Sequence, residues 1–262
     1  MGNVAASAGC NVAPPATPPE RLTVDGLKRN IITAIPASYT AETPHALVIA
    51  FHGRTNSNAQ ARGYFFLEDA IKNTLFVYPS GLRSGDSFTW SNTGDSADTL
   101  RDYALFDEIV RVMAATYCLD ANRIFVTGHS LGAWFANSLA CARGDVIRGV
   151  ATLAGGISAS PCRGSAAAMI LHNPEDNLVP ISQGEAARET FLEVNGASHQ
   201  SVPMPSEPLK SFRCQWHSDN GNVNPVVWCP HNFSTRWDGS YYPHVWPESM
   251  GQAVAYFFGV LR

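Results

Sequence analysis

Arg123-Ile-Phe-Val-Thr-Gly-His-Ser-Leu-Gly-Ala-Trp-Phe-Ala-Asn-Ser-Leu-Ala-Cys-Ala-Arg143 divides into a strand, a sharp turn and a helix. The apolar, β-rich run from Ile124 to Val126 predicts a buried strand. Apolar residues then recur at helical spacing from Ala133 to Ala140. A Gly-x-Ser-x-Gly motif, Gly128-His-Ser-Leu-Gly132, lies between them, and this context is typical of a nucleophile elbow.

The spacing of the motif favours Ser130 as a nucleophile. A serine at the tip of a tight turn needs small residues two positions away on each side, because the chain nearly touches itself there. Gly128 and Gly132 supply them. The turn also places Ser130 at a helix N-terminus, where free backbone N–H groups stabilise developing negative charge. The alternative is a serine in an ordinary Gly-flanked turn.

Length and composition indicate one large globular domain over residues 1–262. The chain has 262 residues, of which 45% are hydrophobic and 15% charged. The net charge is −4 and no basic block stands out, so we expect no nucleic-acid partner. We also expect no membrane partner, because no run of 18 or more apolar residues exists. A monomer is expected.

The cysteines indicate an oxidising compartment. Their even number predicts three disulfides, with six reduced thiols as the alternative: Cys10, Cys118, Cys141, Cys162, Cys214 and Cys229. We favour Cys214–Cys229 and Cys141–Cys162 as pairs. Few lysines and one glycosylation sequon, Asn232-Phe-Ser234, also favour a secreted, extracellular glycoprotein. No signal peptide is visible after Met1, so we interpret the chain as a mature secreted form.

Strands alternate with helices along the rest of the chain. The proline-rich residues 1–20 predict an extended surface arm, pinned by Cys10. Strands are predicted at 29–35, 46–51, 75–78, 146–153, 168–171 and 226–228. Helices are predicted at 58–69, 100–117, 181–194 and 247–261, and residues 85–99 as a long surface loop. The alternation predicts a mostly parallel sheet with right-handed crossovers.

The acid and base of a serine triad follow the nucleophile in the order acid, then histidine. The acid is expected after the strand at 168–171, where Glu175 and Asp176 compete. We favour Asp176, because the shorter carboxylate fixes an imidazole more rigidly. A turn aspartate that bonds its own backbone is the alternative. Among the downstream histidines, His244 alone lies after the last strand and just before the closing helix, so we predict it as the base.

The oxyanion donors are predicted at two backbone N–H groups. One is that of Leu131, directly after the nucleophile, and the other is that of Arg54, in the loop after the strand at 46–51. Gly53 lets this backbone approach a ligand closely. For His52 we favour a side-chain hydrogen bond that supports the loop, and for His129 a packing role beside the elbow.

Together these segments resemble carbohydrate esterase family one, specifically the feruloyl esterases and the related polyhydroxybutyrate-depolymerase-like esterases. The resemblance covers nearly the whole chain. It rests on Leu47–Gly53, Tyr78-Pro-Ser-Gly81, Trp90, the segment from Cys118 to Gly132, the turn at Asp176, and Pro243-His-Val-Trp-Pro247. The last motif departs from the family's Gly-His-x-Trp-Pro, with Pro243 in place of the glycine. The resemblance implies an α/β-hydrolase fold, with helices on both faces of the sheet.

The family implies hydrolysis of esters on plant cell-wall polysaccharide, xylan included, or of small phenolic esters, without a cofactor. Ser130 would form an acyl-enzyme with His244 as base and Asp176 as the residue that orients it. A phenolic acyl group needs a flat apolar slot, for which the candidate walls are Trp90, Trp134, Tyr242 and Trp246, with core packing as the alternative. Arg101 and Asp102 start a helix; they are candidates to bind a phenol or a sugar, although a capping role is favoured for Asp102.

Other functions remain open from the sequence. Acetylxylan esterase and polyester depolymerase use the same triad and differ in acyl pocket size. A different class is a metal-binding module, in which Cys214-x-x-His217 and Cys229-x-His231 hold zinc, although their spacing is irregular. A third class is a non-catalytic binder with a hydrolase fold. We expect no bound metal, because the compartment predicted from the cysteines is oxidising.

Overall fold

The computed structural model describes residues 4–91, 101–158, 161–217 and 223–261. Its strands are β1 (Arg21–Val24), β2 (Leu27–Ala34), β3 (His45–Phe51), β4 (Thr74–Pro79), β5 (Leu82–Ser84), β6 (Ser87–Thr89), β7 (Leu119–His129), β8 (Gly149–Leu153), β9 (Ala167–His172), β10 (Val202–Pro203), β11 (Gln215–His217) and β12 (Val226–Pro230). Its helices are α1 (Asn58–Phe65), α2 (Leu67–Ala70), α3 (Arg101–Thr116), α4 (Leu131–Ala142), α5 (Ile181–Asn195) and α6 (Met250–Val260).

A ten-stranded sheet organises these elements, in the order β1-β2-β4-β3-β7-β8-β9-β12-β11-β10. The central strands, from β4 to β12, run parallel to one another. Two strands at each edge pair in the antiparallel sense. The predicted mostly parallel sheet is therefore confirmed. All seven residues of β3 are buried, because a central parallel strand is covered on both faces.

Helices cover both faces of the sheet, as predicted. Alternate residues of β3 point to opposite sides, since side chains alternate along a strand. Leu47, Ile49 and Phe51 belong to one apolar cluster, with residues of α3, α4 and α5. Ala46, Val48 and Ala50 belong to the other, with residues of α1, α2 and α6. Two apolar layers thus sandwich the sheet. Among the described residues, no helix has both the length and the apolarity to cross a bilayer.

Three predicted boundaries are corrected. The helix predicted at 58–69 is split into α1 and α2, because Phe66 adopts a left-handed conformation (φ 53°) that interrupts helical hydrogen bonding. A capping box between Ser57 and Gln60 starts α1. The closing helix begins at Met250 instead of Pro247, and β8 begins at Gly149 instead of Val146.

The predicted surface loop at 85–99 is wrong in its first part. Residues 87–89 form β6, which pairs with β5. Trp90 is only 2% exposed; it stacks on Phe135, with a ring-centroid distance of 5.4 Å, because α4 offers an apolar face there. Residues 92–99 of the prediction lie outside the described residues.

Three disulfides are present, including both predicted pairs, Cys141–Cys162 and Cys214–Cys229. The third joins Cys10 to Cys118 and pins the N-terminal segment against the start of β7. Ala6 also forms a β-bridge with Asp120. Because Cys10 and Cys118 are 108 positions apart, this crosslink strongly restricts the unfolded chain.

Candidate active site

The elbow holds Ser130 in a strained conformation between β7 and α4. Ser130 has φ 58° and ψ −124°, values that a residue other than glycine rarely adopts. Such a conformation costs on the order of 1–3 kcal/mol and is typical of functional sites. Its N–H donates to the carbonyl of Leu153 (3.0 Å), and its own carbonyl accepts from Trp134 (3.0 Å) as α4 begins. The backbone on both sides is thereby held in place.

Close backbone contacts explain both glycines of the motif. A Cβ at Gly128 would collide with the carbonyl group of Gly132, four residues further along the same turn. A Cβ at Gly132 would collide with the carbonyl oxygens of Phe51 and His52, at the end of β3. The turn therefore folds tightly upon itself and also packs against the neighbouring strand.

Asp176 and His244 form a buried pair. The Nδ1–H of His244 donates to Oδ2 of Asp176 at 2.6 Å, and both side chains are at most 5% exposed. The other carboxylate oxygen, Oδ1, accepts from the N–H groups of Leu178 (2.9 Å) and Val179 (3.0 Å). In the neutral tautomer that this bond favours, Nε2 of His244 is the ring nitrogen that can accept a proton.

The environment keeps Asp176 ionised. Burial alone would raise the pKa of its carboxyl, but the hydrogen bonds from His244, Val179 and Leu178 outweigh it and lower the pKa below its ordinary value. The competing carboxylate, Glu175, points away and accepts from the hydroxyl of Tyr241 at 2.9 Å. Of the two candidate acids, the structure joins only Asp176 to His244.

His129 supports the backbone of His244, a contact that the sequence reasoning missed. The Nε2 atom of His129 lies 2.9 Å from the carbonyl oxygen of His244, which can only accept, so this nitrogen carries the proton. Nδ1 of His129 then accepts from the hydroxyl of Tyr64 at 3.1 Å. Burial, with the neighbouring His244, lowers the pKa of His129 to about 3, so its ring is neutral.

These contacts bring the His244 loop to the elbow. The rings of His129 and His244 lie 5.1 Å apart, and Ser130 directly follows His129. Within the ranges that the structure describes, Ser130 Oγ has no hydrogen-bond partner. Catalytic hydrogen bonds are often long before substrate binds, so a Ser130–His244 hydrogen bond stays a prediction.

The loop after β3 lies against the elbow. A Cβ at Gly53 would stand 3.3 Å from Cβ of Ser130 and 3.5 Å from the carbonyl oxygen of His129. His52 supports this loop, as predicted. Its Nδ1–H donates to the carbonyl of Gly53 (2.8 Å), and its Nε2 accepts from the N–H of Gly81 (2.9 Å). Arg54 and Leu131 therefore lie on neighbouring segments, and their role as oxyanion donors stays a prediction.

Beside the elbow is a cleft of about 910 Å³. It extends from the Thr55-Asn56 segment, past Tyr64 and His129, to a hairpin that carries Arg236 and Trp237. Val245 and Trp246, next to His244 in sequence, also line it. The volume lies within the range of about 300–1,000 Å³ that is typical of ligand sites.

The four predicted slot residues have different places. Tyr242 and Trp246 line the cleft, and Trp246 stacks on Phe65 with ring centroids 4.2 Å apart. Trp134 is partly exposed beside Gly156 and is not among the residues that line this cleft. The prediction for Trp90 is wrong, because its indole is buried and donates to the carbonyl of His52 at 2.9 Å. It supports the loop after β3 from inside the core.

Asp102 is also removed from solvent and cannot meet a substrate. Its carboxylate pairs with the buried Arg29 at 2.6 Å and accepts from the N–H and the hydroxyl of Ser91. The backbone N–H of Asp102 donates to the hydroxyl oxygen of Ser91 at 3.2 Å. The pair joins β2 to the start of α3. Arg101, in contrast to Asp102, has a partly exposed side chain.

The zinc alternative is wrong, because Cys214 and Cys229 are bonded to each other. His217 instead hydrogen-bonds the carbonyl of Ser198 at 3.1 Å. Burial lowers the pKa of His231 to about 3, and its Nδ1 accepts from the N–H of Phe233. In the described part of the chain, no group of three or more metal-binding side chains is found.

Several curated proteins resemble this chain. The probable feruloyl esterase C of Aspergillus terreus is 31% identical over 213 residues, which cover 78% of this chain and 74% of that protein. Feruloyl esterase D of Neurospora crassa is 26% identical over 246 residues, covering 87% and 81%. Poly(3-hydroxyalkanoate) depolymerase C of Paucimonas lemoignei is 32% identical over 168 residues, but only 39% of that protein is covered. No protein-family model matches the chain.

Solved structures share the fold. A ferulic acid esterase of carbohydrate esterase family one, from Anaeromyces mucronatus, matches with a TM-score of 0.58 and 14% identity, over 92% of this chain and 88% of that one. The carboxylesterase of Bacillus cereus matches with a TM-score of 0.62 and 11% identity, over 89% and 95%. At these identities the likeness shows the fold alone, and it confirms the predicted α/β-hydrolase class.

Proposed function

Because this chain belongs to the feruloyl esterase family, and is therefore a carboxylic-ester hydrolase, we propose that it releases ferulic or related hydroxycinnamic acids from plant cell-wall polysaccharide. The observation that carries the proposal is the buried Asp176–His244 pair beside the elbow of Ser130. The 31% identity to a probable feruloyl esterase supports the acyl group. Xylan is the polysaccharide that we favour.

The first half of the reaction acylates the enzyme. Oγ of Ser130 attacks the ester carbonyl while Nε2 of His244 accepts the hydroxyl proton. Asp176 keeps Nδ1–H oriented and stabilises the imidazolium that forms. The N–H groups of Leu131 and Arg54 stabilise the oxyanion, and losing one such donor typically costs about 2.7–4 kcal/mol of barrier. The sugar alcohol leaves with the proton from His244.

The second half removes the acyl group. Water attacks the acyl-Ser130 ester, with His244 as base, and the acid product leaves with Ser130 restored. Neutral His129 adds no second charge near the imidazolium, because its pKa is about 3. No step needs a cofactor. The strained backbone of Ser130 belongs to a turn of the kind that exposes the nucleophile hydroxyl.

We further propose that the chain is a single, secreted catalytic domain with residues 1–20 as a surface arm. Three disulfides support an extracellular location, because such bonds persist in oxidising compartments. Asn232 is exposed and begins the sequon Asn232-Phe-Ser234, which supports glycosylation there.

The decisive variant is Ser130→Ala. We expect hydrolysis of methyl ferulate to fall roughly 10⁶-fold with the fold retained, since the nucleophile of a serine triad carries an effect of that size. Ser211→Ala, an exposed serine, is the matched control and should leave the rate unchanged. Turnover retained by Ser130→Ala would rule out the acyl-enzyme mechanism. If the biological role of the protein is unchanged in Ser130→Ala, that role does not depend on hydrolysis, and the protein is a non-catalytic binder.

A substrate panel tests the acyl group. Initial rates are compared on methyl ferulate, acetylated xylan and a short polyhydroxybutyrate oligomer. We expect the highest kcat/KM on methyl ferulate. Preference for acetylated xylan would indicate an acetylxylan esterase, and preference for the oligomer a polyester depolymerase. Either result would overturn the feruloyl assignment while keeping the mechanism.

A further inference from the structure

A short hairpin over residues 233–242 stands at one end of the cleft. Thr235 and Tyr241 form an antiparallel β-bridge. At the tip, the N–H of Arg236 donates to the carbonyl of Ser240 and the N–H of Gly239 to the carbonyl of Arg236, both at 2.9 Å. Gly239 has φ 81°, which the tight turn requires. The hairpin is therefore closed by its own hydrogen bonds.

The hairpin is also tied to the turn that carries Asp176. The side-chain amide of Asn173 donates to the carbonyl of Phe233 at 2.8 Å. The hydroxyl of Tyr241 donates to the carboxylate of Glu175 at 2.9 Å. Asn173 and Glu175 precede Asp176 closely in sequence. The position of the hairpin is thus fixed relative to the candidate site.

Trp237 is displayed at the tip of this hairpin. Its side chain is 92% exposed, whereas Trp90, Trp228 and Trp246 are each at most 6% exposed. Leaving a large aromatic side chain in water forgoes the stabilisation that burial provides. Trp is enriched at interfaces, because it combines a large apolar face with a polar N–H, so an exposed Trp beside a cleft is suited to a binding surface.

The chemistry of the cleft favours a neutral, polyhydroxylated ligand. Its charged lining side chains among the described residues are one of each sign, Arg236 and Glu248, so no excess charge selects an ion. The guanidinium of Arg236 lies 3.7 Å from the ring centroid of Tyr242, which forms a flat platform. Gln252 adds a neutral hydrogen-bonding group. Aromatic faces suit the C–H faces of sugar rings, and polar groups suit their hydroxyls.

We propose that the hairpin at 233–242 binds sugar residues of the polysaccharide that carries the ester, with Trp237 stacking on a sugar ring. This inference rests on the proposed function and deepens it. The cleft connects the hairpin with Thr55 and Asn56, which follow the predicted oxyanion loop. His129, the residue before Ser130, also lines the cleft, so a chain bound along the cleft passes the elbow, with the hairpin on the alcohol side of the ester.

The test compares two substrates in Trp237→Ala. The ratio of kcat/KM on a feruloylated xylo-oligosaccharide to kcat/KM on methyl ferulate should fall about tenfold, equivalent to about 1.4 kcal/mol. Trp237→Tyr should restore most of the ratio, because it keeps an aromatic face. Val202→Ala is the control; Val202 is 62% exposed and lies in β10, the outermost strand at the other end of the sheet from β1. An unchanged ratio in Trp237→Ala would overturn the proposal.

A second measurement does not depend on esterase activity. Affinity electrophoresis in a gel that contains soluble, unesterified xylan should retard the wild-type protein and the Ser130→Ala variant equally. Trp237→Ala should migrate as in a gel without xylan. If methyl ferulate is not hydrolysed but xylan retards the protein, the proposed function fails and the sugar site stands. If xylan does not retard the wild-type protein, the sugar site fails whatever the activity.

Discussion

The elbow and the His244 loop hold their functional side chains by different means. The elbow is formed by local contacts: Gly128 and Gly132 let the backbone close, and Ser130 takes a strained conformation with positive φ within the same turn. The loop at residues 243–247 is held from a distance. Asp176 and His129 bind His244, from 68 and 115 positions away respectively.

This difference predicts which substitutions the elbow and the His244 loop tolerate. In the elbow the contacts are between backbone atoms, so any added side chain forces the main chain to move. In the His244 loop the contacts are side-chain hydrogen bonds, so a substitution can remove one contact and leave the chain path unchanged. We therefore expect substitutions that remove a hydrogen bond of the His244 loop to lower chiefly activity. Side chains added in the elbow should lower stability as well.

After Ser130→Ala, the largest effect is expected from Asp176→Asn. The amide keeps the shape but no longer stabilises the imidazolium or fixes its tautomer, and the corresponding change in another serine triad lowers kcat about 10⁴-fold. The measurement is kcat on methyl ferulate, with thermal denaturation to check the fold. Glu175→Gln is the matched control, since Glu175 bonds Tyr241 instead of His244, and it should keep kcat within about threefold. Equal losses in the two variants would contradict the assignment of the acid.

An intermediate effect is expected from His129→Ala. The variant frees the carbonyl of His244, and a displaced catalytic group typically costs about 10²-fold. We expect kcat to fall while KM stays close to that of the wild type, because His129 acts on the base and not on the substrate. His129→Gln retains a donor and should recover part of kcat. A drop in melting temperature with kcat unchanged would mean that His129 serves only packing.

A smaller effect, on the free energy of unfolding, is expected from a side chain added in the elbow. Gly132→Ala should destabilise the fold by about 1–3 kcal/mol through overpacking against the end of β3. Gly63→Ala is the control: Gly63 is exposed in α1 with open space around its Cα, so alanine should stabilise by about 0.5–1 kcal/mol. Urea denaturation measures both. A neutral Gly132→Ala would show that the elbow relaxes more easily than its contacts indicate.

Much of the fold was predictable because its signals are short-range. The buried run from Ala46 to Phe51 and the strand–turn–helix at Ser130 show their periodicity within a few residues. The two cysteine pairs at short separation were also found. The helix break at Phe66 was missed, because no Gly or Pro marks it in sequence.

The candidate site was predictable in part. The order of triad residues in the chain pointed to Asp176 and His244, and the structure brings these two together. The role of His129 was missed because its partner is a backbone carbonyl oxygen. Every residue has one, so the sequence does not indicate which of them is bound. Trp90 was misassigned because the sequence does not distinguish an aromatic residue that lines a binding slot from one that packs in the core.

The amino-acid sequence by itself determined the elbow and the alternation of strands and helices, because both follow from neighbours within one or two turns of chain. Only the tertiary structure decided which carboxylate meets His244, that Asp102 is buried against Arg29, and that Trp237 stays in solvent. Burial and long-range hydrogen bonds depend on atoms that are distant along the chain. Burial and these hydrogen bonds are set when the helices pack against the sheet, so no local sequence pattern predicts them.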